Sequence, residues 1–382
     1  MMPDRVAVDA SVLDDAARRS AVDAQNMIPL THEFPEQCRR ALDIARQFNP
    51  PSPRFPIQNV VVTGLGGSAV GGDLLRVLVE DNGEVPLVVN RDYQMPAFVN
   101  DRTFVIAASY SGNTEETLSA FEDAQDRGAV LACVTSGGEL AQRAAHYGTP
   151  VAFIPKGQPP RSALGYMFIP LLMAAHKAGV IRRDPTGDLQ SAIALLEKAR
   201  EQWNAEVPFE KNAAKQLAAR LYGKLPIIYG SQAYSAVVAF RWKTQMNENA
   251  KIHAFSNGYP EMNHNEILGW VLAKQQVPDL AVVLLRDYTE RPKIVARVET
   301  TKRLFARAAE VHEFFAEGQS LLARILYAIY FGDWVSCYLA LLYGVNPTDI
   351  GYIDLLKSVL EKIDEDDPTY SEVLQAQLRT IE

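Results

Sequence analysis

The chain has 382 residues, of which 48% are apolar and 22% are charged, and its formal net charge at pH 7 is −8. These values are ordinary for a globular protein, and the length predicts two or three domains. The negative charge disfavours a nucleic-acid backbone as a ligand, so we expect no nucleic-acid partner. An anionic small molecule would need a locally positive site or one rich in N–H donors.

The cysteine content and the apolar stretches indicate the compartment. The three cysteines, Cys38, Cys133 and Cys337, lie far apart without a CxxC spacing, which favours a reducing compartment without structural disulfides. The N-terminal residues MMPDRVAVDA lack the apolar core of a signal peptide. The longest apolar stretches that we identify, such as residues 169–175, are too short to span a bilayer. We therefore expect a cytoplasmic protein with no membrane partner.

Between residues 57 and 155, short β-branched runs alternate with helical patterns. The apolar runs read IQNVVVTG, PLVVNRD, TFVIAAS, AVLACVTS and PVAFIP. Such runs are typical of parallel strands that are buried on both faces. Helices are predicted at residues 69–80 and 114–127, the second with Asn113 and Glu116 as a capping box. This alternation predicts a doubly wound α/β domain.

A second α/β cycle follows the polar segment RRDPTGD at residues 182–188, which is the best domain boundary. Its strand candidates read LPIIYG, KIHAFS, DLAVVLLR and VHEFFAEG. Further helices are predicted at residues 164–177, 189–203 and 213–222 and over most of residues 320–363. We therefore expect two domains, residues 1–187 and 188–382, each built as an α/β unit.

The first predicted strand ends in the glycine-rich loop TGLGGSAVGGD. Gly66 and Gly67 permit a sharp turn and let backbone N–H groups face a ligand. A helix that begins near Ser68 would add the positive end of its dipole, which favours an anion. The loop therefore predicts a phosphate site.

The same loop contains GLGGSA, which also fits the dinucleotide fingerprint G-x-G-x-x-G/A. That fingerprint requires an acidic residue near the end of the next strand, where this chain has Asn90 and Arg91, with Asp92 slightly late. Arg91 would suit a 2′-phosphate, so an NADP-linked oxidoreductase stays an alternative. A P-loop is excluded because no G-K-[ST] follows.

A second polar loop, AASYSGNTEET, follows the third predicted strand. Ser109, Ser111 and Thr114 supply three hydroxyls at a predicted helix N-terminus, which is more than helix capping requires. Hydroxyls and backbone N–H groups bind a phosphate dianion well. Because the carboxyl ends of parallel strands border one crevice, the two loops predict a single phosphate held from two sides.

These loops resemble the signature of the SIS (sugar isomerase) domain, whose second loop reads S-x-S-G-x-T. The motifs GLGGSAVGGD, SYSGNTEET, PPRSALGY, MNENAKIHAFSNGYPEMNHNEILGW and LLKSVL occur in this order. Together they are similar to the bifunctional phosphoglucose/phosphomannose isomerase family over residues 60–357. The resemblance implies two doubly wound SIS-type domains with parallel sheets flanked by helices. It also implies a homodimer that interconverts glucose 6-phosphate and mannose 6-phosphate with fructose 6-phosphate through a cis-enediol(ate).

The resemblance further implies roles for individual residues. The 6-phosphate would be held by the two loops, at Gly66, Gly67, Ser68, Ser109, Ser111 and Thr114. Glu248 would move the proton between C1 and C2, and Arg161 would stand beside the enediolate. His264, supplied in this superfamily by the neighbouring subunit, and Lys357 would serve ring opening. The family also has a hydroxyl or amide residue shortly before that lysine, which the sequence does not place.

The chemistry of an aldose–ketose isomerisation needs residues of the types to which these roles are assigned. One carboxylate can perform both proton transfers of an aldose–ketose isomerisation, and a fixed guanidinium stabilises an enediolate. Histidine exchanges a proton near neutral pH. The histidines form no HxxH or HExxH pattern, and no Cys/His cluster occurs. We therefore expect no metal and no cofactor.

Two further functions stay open. A non-catalytic SIS-domain sensor of sugar phosphates would need both loops but could dispense with Glu248, Arg161 and His264. An amidotransferase-type synthase has little support, because the chain lacks a glutaminase domain with an N-terminal cysteine nucleophile.

Overall fold

The computed structural model describes residues 8–277, 279–363 and 370–379. Its strands form one five-stranded and one four-stranded sheet. The strands are β1 (Asn59–Thr63), β2 (Leu87–Asn90), β3 (Thr103–Ser109), β4 (Val130–Thr135), β5 (Val151–Phe153), β6 (Leu225–Ser231), β7 (Phe255–Tyr259), β8 (Leu280–Asp287) and β9 (Glu310–Ala316).

Helices precede, connect and follow these strands. The α-helices are α1 (Ala16–Val22), α2 (Met27–His32), α3 (Phe34–Gln47), α4 (Gly66–Asn82), α5 (Glu115–Asp126), α6 (Gly138–Tyr147), α7 (Leu164–Lys177), α8 (Thr186–Trp203), α9 (Ala213–Leu221), α10 (Ser235–Ala250), α11 (Ala273–Gln276), α12 (Pro292–Phe305), α13 (Leu321–Tyr343), α14 (Gly351–Leu360) and α15 (Tyr370–Leu378). Short 3₁₀ helices occupy Ala10–Leu13, Pro160–Ser162, Phe209–Lys211, Glu261–His264 and Glu266–Val271.

The two sheets confirm the predicted α/β fold with parallel strands. The first has the order β2-β1-β3-β4-β5 and the second the order β7-β6-β8-β9, and every pairing is parallel. Both β3 and β8 are buried along their whole length, as expected for central strands that helices cover on both faces. The second sheet therefore repeats the strand order of the first four strands of the first sheet.

The helix α13 is the central helix of the second half. At 23 residues it is long and apolar enough to cross a membrane by length and composition, but 94% of its most apolar window is buried inside the protein. It packs against α8, α9 and α10, and its Asp333 pairs with Arg241 of α10 at 2.9 Å. The prediction that the longest apolar stretches are as short as residues 169–175 was therefore wrong. The burial of α13 among other helices explains its apolar composition.

Two local expectations are also wrong. The strand predicted at residues 251–256 begins only at Phe255, because α10 continues to Ala250 and ends at Lys251 in the left-handed region, with φ 59°. Asn113 does not cap α5. Its side-chain oxygen instead accepts a hydrogen bond from the backbone N–H of Glu139, at 2.9 Å.

The crossing of α10 and α13 leaves no room at Gly332. A Cβ built there would lie 2.2 Å from Nε1 of the fully buried Trp242, which donates to the Ala328 carbonyl at 2.9 Å. We expect Gly332→Ala to lower the free energy of unfolding in urea by about 2 kcal/mol, because overpacking forces both helices apart.

The matched control is Gly187→Ala in α8, where a built Cβ meets no atom within 4 Å. We expect its unfolding free energy to be unchanged or slightly raised, because alanine is the better helix former. Equal urea midpoints for Gly332→Ala and the wild type would contradict the close approach of the two helices.

Candidate active site

The first predicted phosphate loop joins β1 to α4. A Cβ built on Gly64 would lie 2.6 Å from the Ala108 carbonyl oxygen, so the loop can approach β3 closely only with glycine there. Gly66 has φ 52°, and no side chain caps the start of α4. The N-terminus of α4 is therefore open to an anion.

The second loop is held in shape by its own hydroxyls. Ser109 Oγ accepts from the Gly112 N–H at 3.1 Å and lies 2.9 Å from Thr114 Oγ1, while Ser111 Oγ accepts from the Asn113 N–H at 3.2 Å. No side chain caps α5. The hydroxyls therefore organise the loop and leave the start of α5 available to a ligand.

The two loops meet, as the sequence predicts. The Tyr110 N–H donates to Ser68 Oγ at 3.3 Å, beyond the carboxyl ends of the paired strands β1 and β3. Ser68 and Ser109 are almost completely buried, with 5% and 1% exposure, whereas Gly66 and Ser111 are exposed. One crevice thus has two helix N-termini at its edge.

A lysine that sequence reasoning missed lies beside this crevice. Tyr110 Oη donates to the Pro155 carbonyl at 3.0 Å and accepts from the Gln158 N–H at 3.0 Å, which ties the segment between them to the second loop. A Cβ built on Gly137 would lie 2.9 Å from Lys156 Nζ. No carboxylate in the described parts of the chain forms an ion pair with Lys156, so its charge is available to an anion.

The arginine offered as a 2′-phosphate ligand is already occupied. Arg91 forms an ion pair with Asp73 of α4, and burial raises the pKa of Asp73 while Arg91 opposes that rise. The structure thus gives Arg91 a protein partner just beyond the carboxyl end of β2.

The turn that carries Arg161 packs directly on the first loop. A Cβ built on Gly67 would lie 3.0 Å from the Pro160 carbonyl oxygen and 3.3 Å from Arg161 Cα. Glycine at this position therefore allows the 3₁₀ helix Pro160–Ser162 to approach the crevice between the two loops.

The guanidinium of Arg161 is buried, with 2% exposure, and is bound on three sides. Its Nε donates to Asn249 Oδ1 at 2.7 Å, its Nη1 to Glu248 Oε2 at 3.3 Å, and its Nη2 to the Pro347 carbonyl at 2.5 Å. Burial lowers the pKa of Arg161, and the Glu248 carboxylate opposes that shift. These contacts join Arg161 to Glu248, two residues to which the family resemblance assigns roles.

Glu248 lies in the last turn of α10, with its side chain 29% exposed. The ammonium of Lys251, one turn further along, donates to the Glu248 carbonyl at 2.6 Å and lies 3.3 Å from the Pro347 carbonyl. Desolvation and then the nearby Arg161 charge lower the pKa of Lys251 to about 8. Arg161 therefore contacts the carboxylate of Glu248, and Lys251 contacts its backbone carbonyl.

Residues of α10 and α13 hold Arg161 and its partner Asn249 in place. Nη2 of Arg241 donates to the Arg161 carbonyl at 2.9 Å, and the amide of Asn249 donates to Ser336 Oγ at 2.9 Å. Burial raises the pKa of Asp333, the partner of Arg241, while that arginine opposes the rise. Nothing in the local sequence pattern identifies these residues, since their partners lie far away along the chain.

His264 and Lys357 are not joined to this cluster in the single chain. Both are exposed, and neither side chain hydrogen-bonds or ion-pairs with Glu248, Arg161 or any other residue that the structure describes. His264 ends the 3₁₀ helix that follows β7, and Lys357 lies in α14.

The segment between α13 and α14 contacts Arg161 through the carbonyl of Pro347. The next residue, Thr348, has a buried hydroxyl without a hydrogen-bond partner in the described chain. Among the same residues, no group of three or more His, Cys, Asp or Glu side chains is arranged to hold a metal ion.

The chain is similar to known proteins in sequence and in fold. A family model described as the bacterial phospho-glucose isomerase C-terminal SIS domain matches residues 210–360. The C-terminal domain of glucosamine-fructose-6-phosphate aminotransferase from Francisella tularensis has a TM-score of 0.64 at 15% identity, covering 84% of this chain and 97% of that chain. That likeness shows the fold alone.

Two relatives extend the match over most of the chain. A bifunctional phosphoglucose/phosphomannose isomerase of Caldicellulosiruptor bescii is 44% identical over 339 residues, which cover 88% of this chain and 99% of the relative. A protein of the same name from Aquifex aeolicus is 37% identical over 310 residues, covering 80% of this chain and 92% of the relative. The chain therefore belongs to the bifunctional phosphoglucose/phosphomannose isomerase family.

Proposed function

We propose that this protein interconverts glucose 6-phosphate and mannose 6-phosphate with fructose 6-phosphate. The observation that carries the proposal is the position of Arg161. Its turn packs on Gly67 of the phosphate loop, and its guanidinium contacts the Glu248 carboxylate at 3.3 Å. A phosphate cradle, a cation and a base are thus adjacent, and the names of the close relatives support the same reaction.

Substrate binding would begin at the phosphate. The hydroxyls of Ser68, Ser109, Ser111 and Thr114, with the open N-termini of α4 and α5, would hold the dianion. Binding energy from this remote group would position C1 and C2 of the open-chain sugar beside Glu248.

The proton transfer would use Glu248 alone. Its carboxylate takes the proton from C2 of the aldose, which leaves a cis-enediolate. After the hydroxyl proton has passed from O2 to O1, the carboxyl group returns its proton to C1 to give the ketose. Arg161 stabilises the oxygen that carries the negative charge, and it needs no reorganisation because its three hydrogen bonds already fix it. We propose that this chemistry requires no metal ion and no cofactor.

Ring opening would need the partner subunit. We propose a homodimer in which His264 of one chain reaches the crevice of the other, with Lys357 also at the ring-opening end. The support is that His264 is exposed and that large apolar side chains near it are exposed as well, with Leu268 at 74% and Val271 at 79%. A partner subunit would cover such a surface.

Thr348 is a further candidate for contact with the sugar. Its hydroxyl is buried without a partner and follows Pro347, which binds Arg161. We propose that it is the hydroxyl residue that the family has shortly before the late lysine. The setting of the reaction, in our proposal, is the cytoplasm, which agrees with three buried free cysteines in the described chain.

Glu248→Gln tests the assigned base. With metal-stripped protein, excess EDTA and fructose 6-phosphate, we expect the wild type to form both glucose 6-phosphate and mannose 6-phosphate. The variant should lose roughly 10³-fold in kcat, because an amide cannot accept the proton. Glu201→Gln, an exposed site in α8, is the matched control and should behave as the wild type.

The products decide between the alternatives. The formation of glucose 6-phosphate alone would rule out dual specificity but would leave Glu248 assigned as the base. Neither product, with fructose 6-phosphate still bound, would make the protein a sensor of sugar phosphates and overturn the assignment of Glu248.

Lys156→Met tests the cation beside the phosphate crevice. We expect KM for fructose 6-phosphate to rise about tenfold and kcat to change little, since the lysine would contact a phosphate that does not react. Inhibition by inorganic phosphate should weaken in parallel, Lys156→Arg should restore much of the affinity, and Lys198→Met in α8 should have no effect. An unchanged KM together with unchanged phosphate inhibition would separate Lys156 from the site.

Mixing two inactive variants tests the shared site. In a hybrid dimer of Glu248→Gln and His264→Ala chains, one of the two sites combines an intact Glu248 with an intact His264 of the other chain. After subunit exchange we expect activity to recover to about a quarter of the wild-type value, because about half of the dimers are hybrids. No recovery, with hybrids demonstrated by native mass spectrometry, would assign the histidine to the same chain as the base.

A further inference from the structure

Lys251 ends α10 in a backbone conformation that few residue types adopt. Its φ is 59°, and Asn26, with φ 63°, is the other non-glycine residue of the described chain with a positive φ. Glycine usually ends a helix in this left-handed region, because a Cβ is disfavoured there. Lys251 is also exposed, so packing in the core does not require a lysine. The contacts of its side chain have to account for it.

The ammonium group of Lys251 makes three hydrogen bonds, all of them to backbone carbonyls. It donates to the carbonyls of Glu248 at 2.6 Å and of Asn249 at 3.4 Å, and to that of Pro347 at 3.3 Å. The first two belong to the last turn of α10, where carbonyls lack partners within the helix and a cation is favourable. The third belongs to the segment between α13 and α14. The side chain therefore bridges the two segments.

The Pro347 carbonyl accepts from two cations. Arg161 Nη2 donates to it at 2.5 Å and Lys251 Nζ at 3.3 Å. Like charges at such a separation repel each other, and the Glu248 carboxylate, 3.3 Å from Arg161 Nη1, opposes that repulsion. The same carbonyl thus connects the lysine bridge to the guanidinium that contacts Glu248.

We propose that Lys251 is a positioning residue for the isomerase reaction, whose ammonium holds the turn that carries Glu248 against the segment that carries Pro347. This inference rests on the function proposed above. Lys251 would act through backbone carbonyls and would not contact the substrate. Because a displacement of about 1 Å can slow a reaction ~10²-fold, a loosened turn would misplace the Glu248 carboxylate relative to C1 and C2 while the phosphate loops keep their hold on the substrate.

Three substitutions of Lys251 separate the ammonium from the backbone. Lys251→Met removes the ammonium and keeps a long side chain, Lys251→Gly removes the side chain and suits the left-handed conformation, and Lys251→Arg keeps a charged donor. The matched control for the glycine variant is Asn26→Gly, at a residue with the same conformation whose side chain does not cap α2. Circular dichroism and the midpoint of thermal unfolding establish that each variant is folded.

The kinetic readout is the division of the effect between kcat and KM for fructose 6-phosphate. We expect kcat to fall about tenfold in Lys251→Met and Lys251→Gly, with KM within about twofold of the wild type, because positioning affects the chemical step. Lys251→Arg and Asn26→Gly should stay close to the wild type. A wild-type kcat in folded Lys251→Met and Lys251→Gly would overturn the proposal. A rise in KM without a loss in kcat would also overturn it, since the lysine would then contribute to substrate binding.

The pH profile identifies the charge. Desolvation and Arg161 lower the pKa of Lys251 to about 8, while the nearby Asp349, Glu248 and Cys337 oppose this shift. The ammonium is charged below that pH, so kcat/KM of the wild type should fall as the pH rises through about 8. This fall should be absent in Lys251→Met and should move above the measured range in Lys251→Arg, whose guanidinium stays charged. The same fall in Lys251→Met would contradict the role of the ammonium.

Hydrogen exchange followed by mass spectrometry tests the bridge without turnover. Backbone N–H groups in the last turn of α10 and at Thr348 and Asp349 should exchange faster in Lys251→Met and Lys251→Gly than in the wild type and Asn26→Gly. If the wild type forms neither sugar phosphate, the proposed function fails, and faster exchange would still support the bridge. Equal exchange in the wild type and in both variants would overturn the bridge whatever the activity.

Discussion

The buried guanidinium of Arg161 is the constraint on which the arrangement of the site depends. A charge with 2% exposure must be paired and hydrogen-bonded, because an unpaired buried charge is strongly destabilising. Its three partners come from the end of α10 and from the segment between α13 and α14. The hydrogen bonds of this one side chain therefore join the two halves of the chain beside the loops that follow β1 and β3.

The two sheets share one strand order, but the loops at the carboxyl ends of their strands differ. At the first edge, hydroxyls shape the loop between β3 and α5, and the starts of α4 and α5 carry no side-chain cap. At the second edge, serine side chains and a carbonyl occupy the loop N–H groups, and Asp287 replaces a hydroxyl. The fold itself thus does not specify a ligand, and the loops at the carboxyl ends of the strands do.

Sequence reasoning succeeded where a signal is local. The glycines of the first loop and the hydroxyls of the second are contiguous in the chain, so the position of both loops after strands was predictable. Their binding of a phosphate stays a prediction. Sequence reasoning failed at the cap of α5, where Asn113 binds a residue of α6, and at the end of α10. The oxidoreductase alternative lost its main support when Arg91 proved to be paired with Asp73 and the chain proved to belong to an isomerase family.

The sequence by itself determined the α/β class, the family and the position of the two loops after β1 and β3, and it predicted roles for Glu248 and Arg161. Only the tertiary structure decided which residues hold Glu248 and Arg161 in place. Glu248 and Pro347 lie 87 and 186 residues from the arginine that they bind, and the position of Lys156 depends on Tyr110, which ties its segment to the second loop. Partners so distant along the chain leave no periodicity or motif, because their contacts exist only once both sheets have packed around α10 and α13.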